Sequence, residues 1–247
     1  MLSIVVCTLN EEKYLPMLLD SILIQEGVLY EIVIADSGSD DDTSGVAQKY
    51  KTEKNLPITF VCNKIRNISA QRNIGAKTAK YEHLLFLDAD VVLPENFLKE
   101  AFNDRILKFN IKLAGTKIYA TEKNVKYRFM YWNYSNLYLP LLRVFKPAMH
   151  GCSIFSCKEI HKNVGGFNEG MIFEDYRYGV DALPFYKAKL LKGVYVKTSA
   201  RRFYNATFRS SMELFLAGIY SLFKAGIQGK YMKEYFKTAG NHSAPKY

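Results

Sequence analysis

The sequence has no window of the roughly 18 consecutive apolar residues that a membrane span needs, and its N-terminus does not read as a signal peptide. A strand begins at Ser3–Cys7, and Asn10, Glu11 and Glu12 interrupt the apolar run that a leader would require. Cysteine is scarce. Cys7, Cys62, Cys152 and Cys157 contain no Cys-x-x-Cys pair and fall in or at the ends of predicted strands, which fits reduced thiols better than a disulfide framework or a zinc site. His83, His150, His161 and His242 show no metal-ligand spacing. There is no Gly-x-Ser-x-Gly and no Gly-Lys-Ser/Thr phosphate loop, which tells against serine-hydrolase and P-loop chemistry. No internal repeat or low-complexity stretch is present. These absences together lead to the expectation of a soluble or surface-bound protein in the cytoplasm.

Acidic residues are also in the minority. Thirty-four Lys and Arg face 24 Asp and Glu, a net charge of +10. Such an excess favours polyanionic partners: nucleic acid, anionic lipid or phosphorylated substrates. With 247 residues, 49% of them apolar, the chain can bury a substantial core.

Periodicity then gives the elements. Leu2 to Thr8, Glu31 to Ala35, Ile58 to Cys62 and His83 to Asp88 read as short apolar strands. Helical segments separate them: one capped by Asn10 with Leu15, Leu18, Leu19 and Ile22 in register and Pro16 delaying its start, one over Thr43–Tyr50, and one over Ser69–Lys80. That alternation predicts an α/β fold, a Rossmann-like, mostly parallel sheet flanked by helices. After Pro94 the order loosens. A helix carries Leu98, Phe102 and Ile106, strands are expected at 112–119, 151–157 and 193–197, and a helix begins at Asp175. Residues 127–149 are aromatic and basic together, and an amphipathic helical extension follows from about 211. The expected division is residues 1–210 as the main domain and 211–247 as that extension.

The chemistry concentrates at strand ends. Asp88 and Asp90 stop the central apolar strand, and i, i+2 carboxylates of extended chain can converge on one hard cation such as Mg²⁺ or Mn²⁺. They also read as solvated turn residues before Pro94. Asp36 ends the second strand as either a hydrogen-bond acceptor for a base or ribose, or an Asx-turn residue. Arg72 offers a planar fork for base or diphosphate, or is a solvated helix charge. Gly75, costly inside a helix, fits a close packing contact. Glu174 and Asp175 form a second acidic pair, where flanking Phe173 and Tyr176 would desolvate a carboxylate and raise its pKa towards that of a general base. The other reading is plain helix capping.

Taken in order, Ser3-Ile4-Val5-Val6-Cys7-Thr8-Leu9-Asn10-Glu11, Ile32 to Thr43, Arg72-Asn73-Ile74-Gly75, Asp88-Ala89-Asp90 and Gly165-Gly166-Phe167 with Glu174-Asp175 resemble the inverting glycosyltransferases of family 2 with the GT-A fold. The resemblance spans residues 3 to about 202. It implies transfer of one sugar from a nucleotide-diphosphate sugar donor to an acceptor hydroxyl, on a glycan or a lipid-linked acceptor, with Mn²⁺ or Mg²⁺ as cofactor. Thr8, Asn10, Glu11, Asp36 and Arg72 would line the nucleotide and diphosphate pocket. Asp88, Ala89 and Asp90 would form the Asp-x-Asp motif, with both aspartates on the metal. Asp175 would be the base with Glu174 beside it, and the Arg201-Arg202 pair would place Arg202 near the donor diphosphate or an acceptor phosphate. Asp36-Ser37 departs from the two adjacent aspartates of many relatives, which loosens the choice of base. The Gln-x-x-Arg-Trp motif of processive synthases is absent, which favours single addition. Contact with a membrane surface through 127–149 and 211–247, or a homodimer through the same aromatics, is a further expectation; no nucleic-acid partner is expected. A nucleotidyltransferase, or a basic nucleic-acid-binding module, would be the competing classes.

Overall fold

The computed structural model describes residues 1–140, 149–171 and 173–204, with nothing to say of the Arg202 side chain. The expected 211–247 extension and Arg143, Phe145 and Lys146 of the aromatic segment lie outside the described residues.

Four strands, β1 (Leu2–Thr8), β2 (Tyr30–Asp36), β3 (Ile58–Cys62) and β4 (His83–Asp88), pair in parallel in the order β3-β2-β1-β4. They are apolar throughout because both faces are covered: Ile4, Val5, Val6, Ile32, Val33, Ile34 and Leu84 to Leu87 are all buried. The crossovers are the helices α1 (Leu15–Leu23), α2 (Thr43–Glu53) and α3 (Ile68–Thr78). Register decides what meets at the carboxyl edge. Thr8 lies opposite Asp36, and Cys7 opposite Asp88, so three sequence-distant polar ends share one rim. Gly75 packs α3 onto β1 as expected, since a Cβ there would collide with Val5.

The second half of the sheet is mixed rather than parallel. β7 (Ser153–Cys157) runs antiparallel to β4 and to β6 (Ala114–Ala120). β6 runs parallel to β8 (Lys189–Thr198), and a two-residue strand, β5 (Val91–Val92), closes the edge against β8. The chain between Pro94 and β6 buries Leu98, Phe102 and Ile106 as expected, but winds as a π-helix over Lys99–Leu107. Helix α4 (Val125–Asn133) follows β6 and continues as a π-helical turn to Tyr138. α5 (Lys158–Asn163) and α6 (Glu174–Ala182) complete the unit Met1–Thr198. A second unit begins at Ser199, and its described part contains the short 3-10 turn Arg201–Phe203. Among the described residues, no helix is long and apolar enough to cross a membrane.

One helix start differs from the reading above. Asn10 does not cap α1. Tyr14 occupies that position, with Pro16 in the first turn, and Asn10 sits four residues earlier at φ 57°. Asparagine tolerates the left-handed region, and its side chain is spent elsewhere, accepting the Asp40 N–H at 2.8 Å.

Candidate active site

At the ends of β1 and β2, two loops are laced together. Asp36 is buried and its carboxylate is fully engaged. Oδ1 accepts the N–H groups of Gly38 and Ser39, both at 2.8 Å, and Oδ2 accepts the hydroxyls of Ser39 at 2.6 Å and Thr8 at 2.8 Å. This is the Asx-turn geometry, built so that the Thr8 side chain joins it. Glu11 donates its backbone N–H to Thr43 Oγ1 at 2.8 Å, Glu12 donates its own to Asp41, and Asn10 donates to Ser39 Oγ. The Asp40-Asp41-Asp42 run just before α2 shares in this lacing, with the Asp40 and Asp42 N–H groups donated to Asn10 and Glu12. Asp41 also accepts the Thr43 N–H and hydroxyl, so the run fixes the neighbouring loop as well. Gln71, which sequence gave no reason to single out, spans the two strand ends by donating to Thr8 O at 2.5 Å and Ala35 O at 3.0 Å.

Arg72 is the hub, and it is neither a solvated helix charge nor an open fork. Its side chain is 2% exposed. Nη1 donates to Glu174 Oε1 at 2.5 Å, while Nη2 donates to Asp88 Oδ1 at 3.2 Å and to the Gly151 carbonyl at 3.3 Å. One guanidinium thus joins the two acidic motifs. Gly151 leaves room for it, since a Cβ there would strike the guanidinium. The Phe167 ring lies 5.1 Å from the Arg72 guanidinium carbon, stacked in turn on Tyr178 with ring centres 4.1 Å apart. The Gly165-Gly166 turn, with φ of 75° and 82°, delivers that ring. Asn73 then locks it, accepting the Phe167 N–H at 2.8 Å and donating to the Phe167 carbonyl at 2.9 Å. Asn67, which caps α3, and Ser69 in its first turn hold the next two carbonyls, of Glu169 and Asn168.

Burial works against the Arg72 charge, but Glu174 first and then Asp88 outweigh it, and its pKa is raised. Burial pushes the Glu174 carboxyl up to about 7; Arg72 opposes the rise and Asp175 adds to it. The two effects pull in different senses. A guanidinium 2.5 Å away holds an anion, and that is the state the geometry describes, while burial makes the anion depend on Arg72. The expected desolvation at 173–176 therefore falls on Glu174. Asp175, its neighbour in the first turn of α6, is half-buried and accepts the N–H of Tyr176 at 2.7 Å. Its charge is felt at Arg72, at Tyr134 and at His150. His150 is buried with Nε2 2.6 Å from the Thr116 carbonyl, and burial lowers its pKa. Spacing set neither residue apart in the sequence: Tyr134 is one of many aromatics in 127–149, and His150 shows no metal-ligand spacing.

Asp90 is reached by a turn rather than by extended chain. Ala89 is buried at the head of that turn, and β5 follows it at once. Because Val91 pairs with Thr198, Asp90 sits beside the end of β8 and accepts the Thr198 hydroxyl at 3.3 Å. The turn is tethered behind. Ser21 accepts the Leu93 N–H, and Gln25 bonds both the Pro94 carbonyl and the Leu98 N–H. The donor set, two hard carboxylates two residues apart at a strand end, fits Mg²⁺ or Mn²⁺, which takes one or two protein carboxylates and leaves the rest to water and phosphate. Among the described residues, no group of three or more potential metal ligands occurs.

With this geometry in view, the glycosyl transferase family 2 profile matches residues 3–160, from the first strand through β7. The chain belongs to glycosyl transferase family 2. Among curated relatives it is 33% identical over 101 residues to the poly(ribitol-phosphate) beta-N-acetylglucosaminyltransferase TarS of Staphylococcus aureus, 40% of this chain and 18% of that one. It is 37% identical over 101 residues to the human dolichyl-phosphate beta-glucosyltransferase, 36% of this chain and 31% of that one. The chain thus spans less than a third of either relative. Among solved structures, the mannosyltransferase PcManGT of Pyrobaculum calidifontis, in complex with GDP-Man and Mn²⁺, superimposes with a TM-score of 0.67 over 99% of this chain and 65% of that one, at 18% identity. TarS 1–349 in complex with UDP-GlcNAc gives 0.64 over 81% and 58%, at 20% identity. These likenesses establish the GT-A fold, a mixed α/β sheet flanked by helices, for this family 2 member.

Proposed function

We propose that the protein moves a single sugar from a nucleotide-diphosphate sugar to an acceptor hydroxyl with inversion at the sugar C1. The observation that carries this reading is the Arg72 bridge, which holds Asp88 of the strand-end motif and Glu174 of the second acidic pair on one cation. The nucleotide would lie over the ends of β1 and β2, against Thr8, Asn10 and Glu11. Asp36 supports that pocket by shaping the loop, and a base or ribose would reach its oxygens by replacing the Ser39 bonds. Arg202 enters as a diphosphate contact on its sequence position alone.

Asp88 and Asp90 would hold a divalent cation, and when bound it neutralises the charge of the departing diphosphate. Asp175 acts on the acceptor. As its carboxylate takes the hydroxyl proton, the acceptor oxygen bonds to C1 while the C1–diphosphate bond breaks on the opposite face. Glu174 is assigned to positioning rather than proton transfer, because its carboxylate is buried against Arg72, whereas Asp175 remains half-exposed. The acceptor we favour carries phosphate, on a glycan or a lipid. The relatives act on poly(ribitol phosphate) and on dolichyl phosphate, and this chain carries a net charge of +10.

Calorimetric titration with UDP, GDP, dTDP and CDP, each with Mn²⁺ and with EDTA, tests the reading. Metal-dependent binding of one nucleotide, lost in Asp88→Asn, is the expected result. Absence of binding under every condition would overturn it.

A further inference from the structure

Helix α4 departs from an ordinary surface helix on its outer face, which is apolar. A surface helix buries its apolar stripe and shows its polar one. Here the helix buries Tyr131, and the π-helical turn that continues it is fixed to β6 through polar groups. Ser135, just beyond α4, accepts the Ile118 N–H at 3.0 Å and donates to the Ile118 carbonyl, and Asn136 accepts from Lys117. The outer face carries Val125, Phe129 and Trp132, which are 76%, 65% and 49% exposed. Spaced at i, i+4 and i+7, they form one stripe. Lys126 and Arg128, both exposed, flank it on opposite sides, and Lys123 precedes the helix. From Lys123 to Lys158 the sequence contains no Asp or Glu at all.

An exposed aromatic stripe bordered by charge of one sign is complementary to a surface that is apolar within and anionic at its rim. A second copy of this chain would bring the same cations against each other, which disfavours self-association through this face. We propose that the outer face of α4 docks on an anionic phospholipid bilayer, with Phe129 and Trp132 entering the headgroup boundary and Lys123, Lys126 and Arg128 contacting the headgroups. This goes beyond the transfer reaction. It concerns where the enzyme sits, and it stands or falls without any turnover being measured.

Trp132 is the only tryptophan in the chain, so its emission reports on this face alone. The full chain is mixed with phosphatidylcholine vesicles, with and without phosphatidylglycerol, and followed by fluorescence and flotation. The expected result is a blue shift and flotation with the anionic vesicles, both reduced by high salt. Phe129→Ser should weaken partition about tenfold, and Arg128→Glu severalfold or more, with circular dichroism unchanged. Absence of any shift or flotation with anionic vesicles overturns the proposal. So does flotation undiminished in the Phe129→Ser/Arg128→Glu double variant, which would place the contact elsewhere. A blue shift that grows with protein concentration and needs no lipid would instead mean self-association through this face, and would equally refute bilayer docking.

Discussion

The two acidic pairs look alike in sequence and are unlike in the folded chain. Asp88 and Asp90 flank a turn between two strands of one sheet, their backbone fixed by register with β1 and β8. Glu174 and Asp175 ride on the first turn of a helix that reaches the site only because Asn67, which caps α3, and Ser69 and Asn73 within it grip the preceding loop. Each pair gives one member, Asp88 or Glu174, to Arg72. The other member is left for separate duty, Asp90 beside Thr198 and Asp175 partly open. One cation thus sorts four carboxylates into two roles, and the sorting can be broken one residue at a time.

The largest effect should come from Asp175→Asn. If it takes the acceptor proton, turnover should fall by about 10²–10⁴-fold. Nucleotide binding and thermal stability should stay near wild type. Asp88→Asn should show the converse split, with nucleotide affinity lost first. Equal loss of binding in both variants, measured by calorimetry, would erase the distinction drawn between the pairs.

Arg72→Met tests the hub itself. It leaves Glu174 and Asp88 facing each other's charge in a buried setting, and removing one partner of such a network costs about 3–5 kcal/mol. Urea unfolding should show that loss. Adding Glu174→Gln to Arg72→Met should recover part of it, because the orphaned charge is then gone. A double variant no more stable than Arg72→Met alone would mean that Glu174 sheds its charge without cost.

Packed beneath the hub, His161 supplies a pH-dependent term. Its ring lies among Phe86, Phe167 and Tyr178, and burial lowers its pKa from 6.5 to about 4. Between those values the unfolded chain binds the proton and the folded chain does not. The stabilising contribution is therefore complete above pH 6.5 and lost as pH falls towards 4, about 3 kcal/mol at most at about 1.4 kcal/mol per pH unit. His161→Phe should flatten the stability profile across that window. His150, lowered in the same direction, keeps a residual slope. An unchanged profile would show that His161 takes up its proton alike in the folded and unfolded chain, so that burial does not lower its pKa.

What could be read in advance follows from the same contrast. The parallel half was legible because a strand covered on both faces is a continuous apolar run, as in Leu84 to Leu87, and because helix and strand alternate without exception up to Asp88. The polar residues at its rim were legible as candidates, because they interrupt those apolar runs. Their partners were not. Nothing in the local pattern of Arg72 says that it will reach a glutamate 102 positions away rather than a ligand. β5 is two residues long, too short to carry a period, yet its pairing with β8 is what seats Asp90. The mixed half resisted for a related reason. The π-helical winding at Lys99–Leu107 keeps an apolar face that an α-helix would also show, so the spacing of Leu98, Phe102 and Ile106 reveals burial and hides the winding.

The smallest effect expected is also the sharpest probe of how the second pair is delivered. Asn73 offers the Phe167 backbone both a donor and an acceptor, a two-bond clamp that closes the loop over α3. Asn73→Ala removes both of these bonds, and a third from Nδ2 to Glu169 Oε1 at 3.1 Å, and should cost about 1–3 kcal/mol. Asn73→Asp keeps the acceptor for the Phe167 N–H but sets a second carboxylate against the Phe167 carbonyl and near Glu169, so it should cost at least as much despite its closer shape. Because Phe167 carries Arg72 on its face, either variant should also loosen the positioning of Asp175, lowering kcat while nucleotide affinity holds. A variant that lost stability with kcat intact would separate the loop from the chemistry, and Asn73 would then be a clamp for the fold alone.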